Sequence, residues 1–319
     1  MSNVMVLAGR AGKDLTDTTF EMIGAARKLA NAWGGQVEVA LFGGSEAAAE
    51  LGGADTVVSI DHPALTDYVP EAYEIALKHV LAERAPKLLL LPNDTVGLDL
   101  GSSLSVDWDA AQAAYVVGLE PEGDMVVATC QILGGKILAE VELSGPRSIA
   151  TVVSGAFPVA EGRSDSAGNV VTVDAPAGLD ALKTALVQMI EPDGGDVDIT
   201  AATMLVSVGR GIGSKDDLDT VQEFADALGV PLSASRPVID AGWLPKSRQV
   251  GKSGLKVKPK AYLMFGISGA PEHLEGMRDA DLIIACNTDA AAPIFDVAHY
   301  GTTCDLFDLA PALVEKLEG

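Results

Sequence analysis

The stretch that decides the fold is an unbroken apolar run, Lys87-Leu88-Leu89-Leu90-Leu91-Pro92. A strand with one face in water alternates apolar and polar residues, whereas a strand covered on both faces reads as a continuous apolar run. The run therefore predicts a buried strand of a parallel sheet that has helices packed on both sides.

The segments before this run alternate between strand and helix patterns. Residues 4–7 and 37–41 have strand patterns, and residues 16–33 and 71–83 repeat their apolar positions with the period of a helix. This β–α–β–α–β order predicts a doubly wound α/β domain. Further along, residues 125–143 contain a central Leu-Gly-Gly turn, which predicts an antiparallel hairpin.

The composition changes between residues 164 and 200, where glycine, proline and aspartate become frequent. Segments of this kind connect domains, and we predict a boundary near residue 197. The 319 residues then divide into an N-terminal α/β domain with its linker, residues 1–197, and a second domain, residues 198–319.

The second domain begins again with a strand and a helix. Residues 203–208 have a strand pattern, residues 209–214 form a glycine-rich turn, and residues 216–228 have a helix pattern. We predict a last strand at residues 303–306 and a last helix at residues 311–317. The second domain is therefore expected to be α/β as well, with its own doubly wound sheet.

The chain is strongly acidic, with a formal net charge of −23 at pH 7, which disfavours binding to nucleic acid. The charge is uneven, because residues 241–271 contain no acidic residue. The basic residues of that stretch are Lys246, Arg248, Lys252, Lys256, Lys258 and Lys260. Such an island indicates an anionic ligand or an acidic partner, and from charge alone a solvated basic loop explains it equally well.

Two further features of the sequence bear on location. No stretch is long and apolar enough to span a bilayer, which predicts no direct membrane insertion. The first residues lack a basic region followed by a separate apolar core, which predicts no signal peptide and a cytoplasmic protein.

The spacing of cysteines and histidines predicts no metal site built by this chain alone. Cys130, Cys286 and Cys304 lie far apart and form no CxxC pair, and the four histidines show no ligand spacing. We expect the three cysteines to be buried or half-buried thiols.

Four predicted strands of the second domain end in polar or glycine-rich tails. These tails are GRGIGS at 209–214, SR at 235–236, GISGAPEH at 266–273 and CNTD at 286–289. Ligands of open α/β sheets bind at the carboxyl ends of strands, where glycines admit a phosphate group and helix N-termini present N–H groups to it. The tails together predict a nucleotide site, although GRGIGS is not the GxGxxG fingerprint.

Three features near these tails suit a cofactor. Arg236 has a guanidinium group that stacks on planar rings and binds phosphate. His273 lies in the first turn of a predicted helix, whose field disfavours its protonation, and a donor there would hold the negative charge of a reduced ring. The loop QVGKSG at 249–254 places glycines around hydrogen-bond donors. The alternatives are a surface arginine, a half-buried histidine and an ordinary exposed loop.

No Ser-His-Asp, Cys-His or paired-carboxylate arrangement stands out by local spacing, so a hydrolase is not indicated. The same residues do carry a family signature. Its segments are VSVGRG (206–211), ASRPVIDAGWLP (234–245), QVGKSG (249–254), YLMFGISGAPEHLEGM (262–277), NTD (287–289), APIFDVAHYG (292–301) and CDLF (304–307).

In order and spacing, these segments resemble the C-terminal domain of the electron transfer flavoprotein alpha-subunit family. The N-terminal domain resembles the family more loosely, in topology and in a few motifs such as TCQILGGK at 129–136.

The resemblance implies one FAD in the second domain and an obligate beta subunit that carries AMP or a second FAD. It implies a deoxyhypusine-synthase-like fold for the second domain and an adenine-nucleotide alpha-hydrolase-like fold for the first. The implied role is an electron carrier rather than a classical enzyme. It would take electrons from acyl-CoA dehydrogenase-type donors and pass them to a quinone oxidoreductase or another acceptor.

The resemblance also implies the cofactor contacts. Arg236 would lie against the isoalloxazine ring, Ser253 would hydrogen-bond the ring near its reactive nitrogen, and His273 would sit by the pyrimidine carbonyl. Asn287 and Asp305 would hold the adenosine end. The full set is Arg210, Ser235, Arg236, Val250, Gly251, Lys252, Ser253, Ser268, Gly269, Ala270, Pro271, Glu272, His273, Asn287, Asp305 and Leu306.

The sequence departs from the family pattern at several of these positions. Lys252 and Glu272 both stand where the family has glutamine, and Ser253 replaces a threonine but keeps the hydroxyl. The Lys252 charge would raise the reduction potential of the flavin by Coulomb attraction. We predict that Lys252 and Glu272 form an ion pair. His299 replaces an aspartate and weakens any expectation that the potentials match those of ordinary members.

Three other functions are compatible with the residues. Within the family, the chain would serve a flavin-based bifurcating complex whose beta subunit binds a second FAD and oxidises NADH. In a different class, it would be a nucleotide-binding sensor or scaffold without a redox role, against which the intact motifs argue. An NAD-dependent dehydrogenase is the third, but the glycine-rich turn lacks the proper fingerprint and no acid follows at the expected spacing.

Overall fold

The chain divides into two α/β units, Met1–Met189 and Ile190–Gly319. The computed structural model describes residues 3–188 and 197–318. The boundary that we placed between residues 197 and 198 stays a prediction. Within the described residues, no helix has the length and apolar character to cross a membrane.

The first unit follows an alternating order of strands and helices that ends in a hairpin and two further strands. Its helices are α1 (Asp17–Trp33), α2 (Pro70–Arg84) and α3 (Thr95–Asp107). Its strands are β1 (Val4–Leu7), β2 (Arg10–Ala11), β3 (Asp14–Leu15), β4 (Val37–Phe42), β5 (Thr56–Ile60), β6 (Leu88–Pro92), β7 (Ala111–Glu122), β8 (Met125–Ile132), β9 (Ile137–Leu143), β10 (Ser148–Val152) and β11 (Val170–Thr172).

Most of these strands form one large sheet in the order β11-β5-β4-β1-β6-β10-β7-β8-β9. Neighbours from β11 to β7 run parallel, and β7, β8 and β9 run antiparallel. The leucine run is therefore an interior parallel strand, as its pattern predicted. The predicted hairpin is β8–β9. The strand that pairs with this hairpin, β7, was not predicted.

Both faces of this sheet are covered by hydrophobic side chains at the interior strand β6. Leu88 and Leu90 belong to one buried cluster, while Leu89 and Leu91 belong to another. Successive side chains of a strand point to opposite faces, so a strand needs no polar positions when helices cover both sides. The unbroken apolar run at 88–91 is the direct result.

The second unit is smaller and has one parallel sheet. Its helices are α4 (Leu218–Leu228), α5 (Arg236–Asp240), α6 (Pro271–Met277) and α7 (Leu306–Glu318). Its strands are β12 (Met204–Val208), β13 (Leu232–Ala234), β14 (Ala261–Phe265), β15 (Ile283–Cys286) and β16 (Tyr300–Thr302).

The strand order of this sheet is β13-β12-β14-β15-β16, and all pairs are parallel. The first strand, β12, pairs with β13 on one side and with β14 on the other. In the register, Val206 faces Leu232 and Leu263. The chain therefore winds outward in both directions from β12, and the point where the direction changes opens a crevice at the carboxyl ends of β12 and β14.

The end of the chain differs from our prediction. The last strand is Tyr300–Thr302, not residues 303–306, because the Oδ1 atom of Asp305 accepts a 3.0 Å hydrogen bond from the backbone N–H of Phe307. A carboxylate in this position begins a helix by satisfying one of its free N–H groups. The last helix therefore begins at Leu306, and Pro311 lies inside it rather than at its start.

Candidate cofactor-binding site

The crevice at the carboxyl ends of β12 and β14 is a cleft of about 730 Å³. Its size falls in the range of ligand pockets, roughly 300–1,000 Å³. Its lining residues come from the tails that follow four of the strands and from the loop before β14. They are Gly209, Arg210, Gly211, Ser235, Arg236, Pro237, Asp240, Gln249, Val250, Gly251, Lys252, Ser253, Gly266, Ile267, Ser268, Ala270, Glu272, His273, Asn287, Asp289, Ala292 and Pro293.

The inner wall of the cleft is a close contact between two glycine-rich turns. The backbone N–H of Gly211 donates a 3.1 Å hydrogen bond to the carbonyl of Gly266. A Cβ atom at Gly209 would lie 2.2 Å from that same carbonyl oxygen, and one at Gly211 would lie 2.7 Å from it. These positions accept only glycine without movement of the backbone. The turns after β12 and β14 thus form a wall made of main chain.

The loop that contains Gly251 forms a second wall and is held by main-chain hydrogen bonds on both sides. The N–H of Val250 donates to Ala234 at 2.9 Å, and the N–H of Lys252 donates to Glu272 at 2.7 Å. Gly251 has φ +139°, which side chains rarely adopt, and a Cβ there would lie 2.8 Å from the carbonyl of Glu272. The loop therefore has a fixed shape between α5 and α6.

Charged side chains of both signs line the cleft. Arg236 begins α5, and its Nε atom lies 3.1 Å from the Oδ2 atom of Asp240, one turn later. Arg210 and Lys252 add two further cations, while Glu272 and Asp289 add two carboxylates. The charges in the cleft therefore largely balance, so shape and hydrogen-bond donors contribute more to binding than a net positive field.

We predicted an ion pair between Lys252 and Glu272, and this prediction is wrong. The Nζ atom of Lys252 lies 3.8 Å from the Oε2 atom of Glu275, and Glu272 contacts Lys252 through its main-chain carbonyl. Glu275 lies three residues beyond Glu272 on α6, so the lysine side chain points along the helix rather than to its first turn.

His273 lines the cleft and is buried, and it belongs to a column of polar side chains. Its Nδ1 atom is 3.1 Å from the carbonyl oxygen of Val250, and its Nε2 atom is 3.3 Å from the hydroxyl of Tyr262. That hydroxyl is 2.8 Å from the Oγ atom of Ser207. A carbonyl can only accept, so the ring proton lies on Nδ1 and the lone pair of Nε2 faces Tyr262. The role implied for His273 beside a flavin carbonyl stays a prediction.

Burial controls the protonation of this column. His273 is 5% exposed, and the loss of solvent lowers its pKa to about 4, against a smaller raising effect of the hydrogen bond to Val250. Burial likewise raises the pKa of Tyr262 well above its ordinary value. Both side chains are therefore neutral at physiological pH.

The cleft brings together twelve of the sixteen predicted contact residues. These are Arg210, Ser235, Arg236, Val250, Gly251, Lys252, Ser253, Ser268, Ala270, Glu272, His273 and Asn287. Gly269 and Pro271 belong to the same turn but do not line the cleft. Asp305 is occupied as the cap of α7, and the Leu306 side chain is buried in the core at 6% exposure. Cofactor contacts with all sixteen residues stay predictions.

The predicted contact set left out several residues of the cleft, chiefly Gln249, Asp240 and Asp289. Gln249 is 1% exposed, and its Nε2 atom donates a 2.9 Å hydrogen bond to the Oγ atom of Ser253. Its place as the first residue of the QVGKSG loop was a usable signal. Asp240 and Asp289 lie within segments quoted in the sequence analysis, 234–245 and 286–289, but neither was in the predicted contact set.

The fold and the cleft are typical of α/β proteins that bind a nucleotide cofactor at the switch point of a parallel sheet. Residues 4–178 match the model of the electron transfer flavoprotein domain, and residues 198–278 match that of the electron transfer flavoprotein FAD-binding domain. The chain belongs to the electron transfer flavoprotein alpha-subunit family, and its second unit contains an FAD-binding domain.

Full-length relatives support this assignment. The chain is 36% identical to the electron transfer flavoprotein subunit alpha of Methylophilus methylotrophus, with 99% of both chains covered. It is 32% identical to the subunit of the same name from Thermoanaerobacterium thermosaccharolyticum, with 99% of this chain and 98% of the relative covered. It is 34% identical to the lactate dehydrogenase (NAD(+),ferredoxin) subunit LctC of Acetobacterium woodii, with 94% of this chain and 73% of the relative covered.

The residues of the cleft fit FAD. Main-chain walls at Gly209, Gly211 and Gly266 allow close approach of a pyrophosphate, and arginine and lysine side chains are present to neutralise it. Apolar side chains, including Val250 and Ile267, offer surface to a planar ring. Hydroxyl donors for a polyhydroxylated chain are Ser235, Ser253 and Ser268.

Proposed function

We propose that this chain is the alpha subunit of an electron transfer flavoprotein heterodimer that shuttles electrons between a dehydrogenase and a downstream acceptor. The observation that carries the proposal is the cleft at the switch point of the second sheet, whose lining includes twelve of the predicted contacts. When bound there, FAD supplies the capacity to accept electrons from one protein and give them to another. The chain itself acts as a carrier, not as a classical enzyme.

The expected partners follow from the family. They are an electron transfer flavoprotein beta subunit that carries AMP, a donor of the acyl-CoA dehydrogenase type, and a quinone oxidoreductase or another acceptor. The relatives support a beta subunit and electron-transfer partners in general, and the identity of donor and acceptor is part of the proposal. The predicted cytoplasmic location stays a prediction.

Each protein group in the cleft has a proposed task. The Arg236 guanidinium would lie against the flavin ring and favour its reduced, anionic forms, and its Nε atom lies 3.1 Å from the Oδ2 atom of Asp240. Ser253 would present a hydroxyl to the ring, and the wall at Gly209 and Gly266 would receive the pyrophosphate. Asn287 holds the turn beyond β15 in place, because its Nδ2 atom donates to the carbonyl of Ile267 at 2.9 Å.

The proposal is tested by counting nucleotides in the heterodimer. The chain is co-purified with its beta subunit, the complex is precipitated with acid, and FAD and AMP in the supernatant are quantified by chromatography. We expect one FAD and one AMP per heterodimer. Two FAD would instead place the complex in the bifurcating class, and NADH oxidation becomes the next assay. A folded complex that contains no FAD would refute the proposal and favour a sensor or scaffold.

A charge-removal pair tests whether Lys252 tunes the flavin. We expect Lys252→Gln to lower the midpoint potential and Glu275→Gln to raise it, because reduction adds negative charge near the ammonium group. Both side chains are partly exposed, so water screens the effect to about 1 kcal/mol, or about 20 mV for a two-electron change. Equilibrium titration of the heterodimer with redox dyes measures the shift.

The matched control for this pair is Lys258→Gln, which removes the same charge from an exposed lysine that does not line the cleft. The control should leave the midpoint potential unchanged. Shifts of the same sign in Lys252→Gln and Glu275→Gln would contradict a Coulomb origin.

A further inference from the structure

Lys246 lies outside the cleft but contacts two groups of the loop that forms its second wall. The Nζ atom is 3.0 Å from the Oε1 atom of Gln249 and 3.1 Å from the carbonyl oxygen of Ser253. Gln249 is buried, and its Nε2 atom is 2.9 Å from the Oγ atom of Ser253. The three residues therefore form a continuous path of hydrogen bonds from the surface to the Ser253 hydroxyl in the cleft.

The direction of each hydrogen bond in this chain follows from chemistry alone. An ammonium group has three donors and no acceptor, so the amide atom of Gln249 that faces Lys246 must be the oxygen. The other end of the amide is then an NH₂ group, which can only donate. The Oγ atom of Ser253 must accept from it, because two donors cannot share one hydrogen bond.

The hydroxyl of Ser253 has a single proton, and this arrangement keeps that proton away from Gln249. Lys246 also fixes the main chain of Ser253 through its carbonyl. The N–H of Leu255 donates to the carbonyl of Gln249 at 2.7 Å, which closes the loop on itself. Ser253 is exposed and lines the cleft, so the cleft is where its proton is available.

We propose that Lys246 is a positioning residue that, through Gln249, holds Ser253 as a hydrogen-bond donor toward the flavin. The proposal rests on the proposed function, in which Ser253 faces the ring. Without the ammonium group, the amide of Gln249 can turn over. Its oxygen then faces Ser253, and the serine proton turns away from the cleft to meet it. A surface lysine thus sets the direction in which the Ser253 hydroxyl donates, although it makes no hydrogen bond to that hydroxyl.

A double-mutant cycle tests this coupling in the heterodimer. The variants are Lys246→Met, Ser253→Ala and the double variant, with Lys258→Met as a control for loss of one lysine charge from the same basic stretch. Redox titration of the bound flavin gives the ratio of reduced to oxidised flavin at a fixed potential. The cycle separates an effect through the hydroxyl from a direct effect of charge, because only the first requires Ser253.

We expect Lys246→Met to change that ratio about tenfold, which corresponds to about 30 mV for a two-electron couple. In the Ser253→Ala background, the same substitution should change the ratio about twofold or less, as should Lys258→Met in the native background, about 9 mV on the same scale. An equal change with and without the Ser253 hydroxyl, or a change no larger than that of Lys258→Met, would overturn the positioning role. Absence of FAD from the unmodified heterodimer would overturn the proposed function, and with it the role of Lys246.

Discussion

Gly209→Ala should cost the protein most of its affinity for FAD. The new Cβ atom would lie 2.2 Å from the carbonyl oxygen of Gly266 and 2.7 Å from the Cα atom of Ile267, so the turns after β12 and β14 must move apart. Overpacking of this kind costs about 3 kcal/mol. If FAD binding requires the native wall, the same amount is lost from binding, which corresponds to about a 100-fold weaker affinity. Fluorescence titration of the flavin-free heterodimer with FAD measures it.

The matched control is Gly229→Ala. Gly229 ends α4 with φ +66°, and a Cβ there would meet nothing within 4 Å in the described part of the chain, so the substitution adds backbone strain without touching the cleft. We expect it to destabilise the second unit by about 1 kcal/mol and to keep the native affinity for FAD. If both variants bound FAD alike, the glycine wall would not be the determinant of affinity.

Acid should destabilise the second unit through His273. The folded protein holds the pKa of this side chain at about 4, below the ordinary value of 6.5, so the unfolded chain binds the proton more readily between those values. The contribution of His273 to the free energy of unfolding is therefore fully present above pH 6.5, and it is lost as the pH falls toward 4. Integrating the difference in proton binding set by these two pKa values gives a loss of about 2.5 kcal/mol in the free energy of unfolding between pH 7.5 and pH 4.5.

The measurement compares the native chain with His273→Gln, since glutamine can still donate to Val250 and accept from Tyr262. Urea unfolding is followed at both pH values by the fluorescence of Trp243, with Trp33→Phe and Trp108→Phe removing the other tryptophans from both proteins. The native chain should lose about 2.5 kcal/mol more than the glutamine variant between the two pH values. Equal losses would mean that His273 is not the group that titrates.

The parts of the fold that could be predicted are those that local sequence determines. The leucine run at 88–91 is apolar on both faces because both faces are buried, and α6 begins at Pro271 because proline suits the first turn of a helix. Strand β7 could not be predicted in the same way. Its exposure follows no strict alternation, and its place in the sheet depends on parallel pairing with β10, which lies beyond the β8–β9 hairpin.

The site was predictable to the extent that it is made of main chain. Glycines and helix starts can be recognised directly in a sequence. The tails at 209–214 and 266–273 do meet in the cleft, as predicted. Side-chain partners depend instead on where a long side chain points. Lys252 meets Glu275 rather than Glu272 for this reason, and the contact of Lys246 with Ser253 depends on how the loop folds back on itself.

The central place of β12 has a consequence for biosynthesis. Because β12 pairs first with β13 and later with β14, the half made of β12, α4 and β13 leaves the ribosome before the opposite wall of the cleft exists. The lining of the cleft extends to Pro293, so a cofactor that binds there finds its complete site only after residue 293 has been synthesised. FAD cannot template the early half, which must reach its shape through its own core of Val206, Val221 and Phe224.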